Sequence, residues 1–198
     1  MKTIAYAFCF CLASMEAIGQ NENKPLPSSA LTVNTLGLLQ FGPVFQGEFR
    51  LGQSKSYIGP SVRLPYLGLL YHLIVSDGFV DTVKPAALGI GLQYKYLVPK
   101  TKGAWYVGLA GYYSFGSASG GNMYDSWEGK FANVTAMVNA GWRWRNPSKK
   151  IFIGLGILLG PSIDVLDERT YSSGYTDYYK QNYFFGMGEF VIGWEKVK

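Results

Sequence analysis

The sequence predicts an all-β protein: an eight-stranded antiparallel up-and-down transmembrane β-barrel. Three observations predict it. Apolar residues alternate with small or polar ones at a period of two, in stretch after stretch, which marks extended strands lying between two unlike surroundings. The stretches run to about 10 to 13 residues, against a usual strand of about 5 to 6; a membrane strand needs about 9 to 11. The weaker face of each stretch is crowded with Gly, Ala and Tyr rather than with the Lys, Glu and Thr of a water-facing strand.

Composition agrees with that class. The 198 residues suit one domain once the N-terminal segment is set apart. Aromatics make up 16% and there are 25 glycines, while charged residues reach only 16%, against roughly 25% in soluble domains. No apolar run approaches the roughly 20 residues of a membrane helix. The net charge of +5 comes from lysines scattered over turns, such as Lys55, Lys100, Lys102, Lys149 and Lys150, with no basic helix or RNA-binding motif, so nucleic acid is not the expected partner.

Residues 1–19 form a secretory signal peptide by pattern. Lys2 gives the positive start, Ile4 to Met15 the apolar region, and Ala17-Ile18-Gly19 the small-x-small cleavage site before Gln20. Both cysteines, Cys9 and Cys11, lie within it and lack a lipobox, so the exported chain is expected to carry no disulfide and no lipid anchor. No cofactor is expected. His72 is the only histidine, and thiolates are absent from the exported chain, so no zinc or other structural metal site is expected.

Residues 20–29, with Pro25 and Pro27, read as a polar leader, and residues 30–198 as the barrel domain. The first strand is assigned to Ala30 to Leu39 by parity of the connections, since its own alternation is poor. FGPVFQGEFRL sets Phe45, Phe49 and Leu51 against Gln46, Glu48 and Arg50. YIGPSVRLPY sets Ile58, Val62, Leu64 and Tyr66 against Ser61 and Arg63, with Pro65 placed at a bulge. ALGIGLQYKYL separates Leu88, Ile90, Leu92, Tyr94 and Tyr96 from Gly89, Gly91, Gln93 and Lys95. AWYVGLAGYYSFG opposes Trp105, Val107, Leu109, Tyr113 and Phe115 to Ala104, Tyr106, Gly108, Ala110, Tyr112 and Ser114.

The clearest case is ANVTAMVNAGWRWR. Ala132, Val134, Ala136, Val138, Ala140, Trp142 and Trp144 fall on one face, and Asn133, Thr135, Met137, Asn139, Gly141, Arg143 and Arg145 on the other. IFIGLGILLG continues with Ile151, Ile153, Leu155, Ile157 and Leu159 against Phe152, Gly154, Gly156 and Leu158. YFFGMGEFVIGW places Phe184, Phe190, Ile192 and Trp194 against Met187, Glu189 and Gly193, with Phe185 and Val191 blurring the split.

QSKS, PKTKG and NPSKK are short basic turns; residues 74–85, 117–131 and 164–182 read as long loops. Short turns at one end and long loops at the other describe a meander. A soluble lipocalin-like barrel also alternates, with its apolar face inward. The glycine-rich minor face, and the aromatic residues near the short turns (Tyr94, Tyr96, Trp105, Trp142, Trp144 and Trp194), point instead to an apolar face turned outward to lipid.

The signal peptide, V-N-T-L-G-L-L (Val33 to Leu39), G-x-G-x-Q-Y-K-Y (Gly89 to Tyr96) and G-W-R-W (Gly141 to Trp144) together resemble small Gram-negative outer-membrane β-barrel proteins, more narrowly an uncharacterised family of about this length. The resemblance implies an outer-membrane location, lipid and lipopolysaccharide as surroundings, and insertion by the outer-membrane assembly machinery. That machinery reads an aromatic-rich last strand, which Phe190, Ile192 and Trp194 supply; the ending EKVK departs from the family pattern.

Glu48, Arg50, Arg63, Lys95, Arg143, Arg145 and Glu189 are expected to face the lumen as a packed charge network, because eight strands enclose only enough space for side chains. Bases outnumber acids in this set, so some must meet water, loop carbonyls or lipid phosphate. Tyr171, Tyr175, Tyr178 and Tyr179 form a surface-loop binding candidate for an extracellular ligand that the sequence does not identify. His72, Ser76 and Asp77 are candidates for the base, nucleophile and acid of a lipid A deacylase or acyltransferase, without those families' spacing. Asp77, Asp81, Asp125, Glu128, Asp164, Asp167, Glu168 and Asp177, opposed by Lys84, Lys130, Arg169 and Lys180, could form an acidic rim holding divalent cations between lipopolysaccharide phosphates. The expectation is a structural or surface-interaction protein without catalysis. Its rivals are a lipid A-modifying enzyme, a narrow solute channel and a soluble lipocalin-like binder.

Overall fold

A computed structural model describes residues 26–69, 84–100, 103–121, 126–145, 150–178 and 180–196. Among the described residues nine strands follow one another: β1 (Ser29–Asn34), β2 (Val44–Arg50), β3 (Ser56–Arg63), β4 (Lys84–Lys100), β5 (Gly103–Gly121), β6 (Ser126–Arg145), β7 (Ile151–Tyr171), β8 (Thr176–Tyr178) and β9 (Asn182–Lys196). Every pairing is antiparallel. Neighbours pair in chain order from β1 to β7, β7 pairs with β9, and β9 returns to β1, so eight strands form a closed ring compatible with a barrel. β8 pairs with β7 outside that ring.

Alternation in the sequence becomes alternation in burial. Along β6 from Val134 to Ala140 every second residue is exposed, and Thr135, Met137 and Asn139 between them are buried. The same alternation runs along β5 from Trp105 to Phe115 and along β7 from Ile151 to Ile163, with Val107 and Gly156 only half-buried. Phe185 and Val191 belong to the inner face of β9: both are buried, at 8% and 3% exposure.

The strand lengths differ from expectation. β1, β2 and β3 have 6, 7 and 8 residues, whereas β4 to β7 and β9 have 15 to 21. The first strand stops at Asn34 rather than Leu39. The Asn34 side chain takes over the next rungs, accepting from Phe190 N at 3.0 Å and donating to Gly188 O at 3.3 Å, and a 3-10 turn follows at Leu36–Leu38. The chain then reverses at Gly42, whose φ is +93°; a side chain there would run into the Leu64 carbonyl. Pro65 opens a second 3-10 turn, Pro65–Leu67, rather than sitting at a bulge, because β3 has already ended at Arg63.

Two segments expected as loops are largely strand. Residues 117–121 and 126–131 continue β5 and β6 as one hairpin, and 164–171 continue β7. Their Gly, Ser and charged residues hid a ladder that needs only backbone groups. The bulge lies in β7, where Val165 has no partner between Asp164 (opposite Asn133) and Leu166 (opposite Ala132), which puts both Val165 and Leu166 on the outer face. The turn at Leu51–Lys55 is as expected, and β5 and β7 begin a few residues after β4 and β6 end.

Candidate functional site

The interior of the ring is filled in layers of buried side chains. Nearest the short turns, Leu26, Tyr57, Leu97, Ala104 and Tyr106 form a buried apolar cluster. Leu26 comes from the leader, which enters here: Tyr57 OH donates to Pro27 O at 2.7 Å, and Arg50 N donates to Ser28 O at 3.0 Å.

The second layer is charged. Glu48 accepts from Lys95 Nζ at 3.0 Å and from Arg143 Nη2 at 2.7 and 2.8 Å, one bond to each carboxylate oxygen from the same nitrogen. Lys95 also donates to Gln46 Oε1 at 2.9 Å. Glu195 binds Arg145 Nε at 2.9 Å and lies 3.8 Å from Arg143 Nη1. The Arg143 guanidinium rests 3.9 Å above the Phe152 ring. Glu189 accepts from Tyr106 OH at 2.8 Å. Lys95, Arg143 and Glu48 side chains are 2 to 5% exposed. Three basic groups (Lys95, Arg143, Arg145) therefore pair with two carboxylates (Glu48, Glu195), while Glu189 takes the Tyr106 hydroxyl as its partner.

Glycine makes this layer possible. Gly141 and Gly156 face each other across β6 and β7, and the Tyr106 ring lies over both; a methyl at either position would meet the phenol. Only so can a tyrosine on β5 reach Glu189 on β9.

Five of the seven expected network residues are gathered: Glu48, Lys95, Arg143 and Arg145 directly, and Glu189 through Tyr106. Two are not. Arg50 donates to the carbonyls of Ser54, Gln53 and Leu26, and Arg63 donates to Phe41 O at 3.1 Å while stacking on Phe185 at 4.7 Å. Glu195 is the member sequence reasoning missed. Its parity with Glu189, Val191 and Gly193 on β9 was the available signal, and it supplies the acid that the excess of bases lacked.

The third layer is apolar: Val44, Ala110, Tyr112, Met137, Leu158, Phe185 and Met187, with Phe41 packed against it. Above it, away from the short turns, a cavity of about 540 Å³ lies between inner residues of β3, β5, β6, β7 and β9 and the two 3-10 turn regions.

On the outer face, Trp105, Trp142 and Trp144 stack near the short turns, with ring centroids 4.9 and 6.3 Å apart, and Trp194 is 48% exposed. Of the tyrosine group, Tyr171 ends β7, Tyr175 sits in the turn and Tyr178 is in β8, so they ride on a hairpin rather than a loop; Tyr179 lies outside the described residues. Tyr171 and Tyr175 rings are 6.2 Å apart, and Tyr175 and Tyr178 are more than 60% exposed. His72, Ser76, Asp77, Asp81 and Asp125 also lie outside the described residues. Glu128, Asp164, Asp167, Glu168 and Asp177 are on strands, interleaved with bases: Lys130 sits opposite Glu168, and Arg169 Nε is 3.5 Å from Asp167. Among the described residues no group of three or more acidic, His or Cys side chains is placed to hold a metal.

No protein-family model, curated protein or solved structure matches this chain.

Proposed function

We propose that the chain is an exported outer-membrane β-barrel with a structural or surface-interaction role, without catalysis, seated among lipid and lipopolysaccharide and inserted by the outer-membrane assembly machinery. One observation carries the reading: the ring is inside out for a protein in water. Large apolar side chains such as Leu92, Ile157, Leu109 and Val138 are about half exposed on its outer face, while Glu48, Lys95, Arg143 and Glu189 are buried within. A soluble lipocalin-like binder has the reverse polarity.

The dimensions support it. The outer residues of β5 stay apolar from Trp105 to Phe115 and turn polar at Ser117. Ten residue steps of about 3.4 Å, inclined by about 40°, rise about 26 Å, matching the roughly 25 Å apolar band of such barrels. Beside Ser117 the outer face of β6 and β7 turns polar at Lys130 and Glu168. The tryptophans near the short turns suit one interface, and Tyr113, Phe115 and Phe184 the other. Above the second interface the β5–β6–β7 extension lifts Tyr175 and Tyr178 away from the lipid, where a partner can reach them. Two apolar layers around the charge layer argue against a conducting pore.

Envelope fractionation with gel mobility before and after boiling tests the reading. The unheated protein is expected in the outer-membrane fraction with shifted mobility, and planar bilayers containing it are expected to show no conductance. Recovery as a soluble periplasmic protein would overturn it.

A further inference from the structure

The geometry points to a binding site for a single-chain amphiphile with an anionic head, seated in the cavity at the end of the ring away from the short turns. The membrane reading bears only on how the ligand enters.

The head has a built position. Arg63, Gly89 and Ser114 are successive partners on β3, β4 and β5, all on the inner face. Arg63 and Ser114 line the cavity; both are buried, at 6% and 3% exposure. Ser114 Oγ has no hydrogen-bond partner among the described residues, although a buried hydroxyl costs free energy when left unmade. Ser114 Oγ and Arg63 Cβ flank Gly89: a methyl there would lie 3.0 Å from the one and 3.2 Å from the other. Arg63 Nε donates to Phe41 O and its guanidinium lies over Phe185, both cavity residues, so a carboxylate in the cavity has the guanidinium charge and the Ser114 hydroxyl proton as partners.

The tail has an apolar wall. Phe41, Phe131 and Phe185 line the same cavity, and its volume falls in the range of small-molecule pockets, roughly 300 to 1,000 Å³. One cation and three phenyl rings suit the head and chain of a fatty-acid-like ligand, and Asn133, Thr135 and Ser162 add further polar groups to the wall.

Among the described residues the wall is lowest along β1 to β3. β3, from Ser56 to Arg63, rises only about 18 Å at the same inclination, short of the apolar band. The turns that cap β1 to β3 expose Leu38, Leu39, Leu67 and Leu69, and the same two regions contribute Phe41 and Pro65 to the cavity. A chain dissolved in the outer leaflet therefore meets the cavity from the side, over these turns.

The test uses the full exported chain in phosphatidylcholine nanodiscs, with [1-¹³C]decanoate as probe and its carboxylate resonance as readout. The expected result is saturable binding of one decanoate per chain, above the partition into empty discs, with decanol at least tenfold weaker. R63Q is expected to weaken decanoate at least tenfold. S114F, at a side chain with no partner to lose, is expected to abolish binding by filling the cavity, and it carries the test if R63Q does not fold. Equal partition into loaded and empty discs would overturn the site, as would equal affinity for decanol or binding indifferent to S114F. Entry into discs without saturable binding removes the site and leaves the membrane reading standing. Failure to enter discs, with saturable binding in buffer, does the opposite.

Discussion

Glu48 is the residue on which the interior charge converges, receiving both Lys95 and Arg143 in a place water does not reach. Removing it leaves two cations buried without their shared partner. Glu48→Gln is therefore expected to lower stability by about 3 to 5 kcal/mol, read from the urea midpoint of the folded protein. Replacing Glu48, Lys95 and Arg143 together by Met or Leu removes the desolvation cost along with the attraction and is expected to be far milder than E48Q alone. Tyr106 gives a second case. Gly141→Val would displace the ring that crosses it, at an expected cost of about 1 to 3 kcal/mol. In that background Tyr106→Phe should add almost nothing, because the hydroxyl no longer reaches Glu189; a double-mutant cycle measures this. The inward direction of these residues was legible from period two. Which cation finds which carboxylate was not, since Glu48 and Arg143 lie 95 positions apart and parity carries no information about partners across the ring.

At the scale of the strand, Val165 is the informative position. It is the extra residue that lets β7 keep pairing with β6 beyond Leu166. Deleting it removes the bulge and restores simple alternation, so the deletion is expected to fold with less than about 1 kcal/mol lost. Deleting Leu158, in the middle of the same strand, turns one half of β7 to the wrong face and is expected to prevent folding; gel mobility with and without heating distinguishes the two. The sequence made the middles of the long strands plain and their ends obscure. Ser117–Gly121 and Ser126–Lys130 look like loop because their side chains are small or polar, yet the ladder there is held by main-chain bonds. Asn34 ended β1 early by offering its own amide to β9, a tertiary event that the four apolar or small residues Leu36 to Leu39 did not announce.

For the whole molecule, the outer face decides the solvent. Ile90, Val134 and Ile153 are 48, 44 and 43% exposed there, on three different strands. Aspartate at all three is expected to block entry into lipid vesicles by at least tenfold, each carboxylate opposing burial in hydrocarbon. Vesicle flotation measures this, and a triple mutant that enters as readily as its parent would remove the membrane reading. The ring itself was legible as a count of strands and connections. The uneven wall was not, because the shortness of β2 and β3 depends on where the Gly42 and Pro65 reversals fall relative to their neighbours.

The seam between β1 and β9 brings Ser29 against Lys196, so the first and last rungs of the sheet belong to residues 167 positions apart. Until the final strand is available, both margins of the growing sheet are raw and ready to pair with a neighbouring molecule. A partly made chain is thus an open ribbon, and sealing it is a single late event. Anything that shields those two margins in the meantime, whether a chaperone in transit or an insertion catalyst, governs the yield of folded protein more than the strength of any contact inside it.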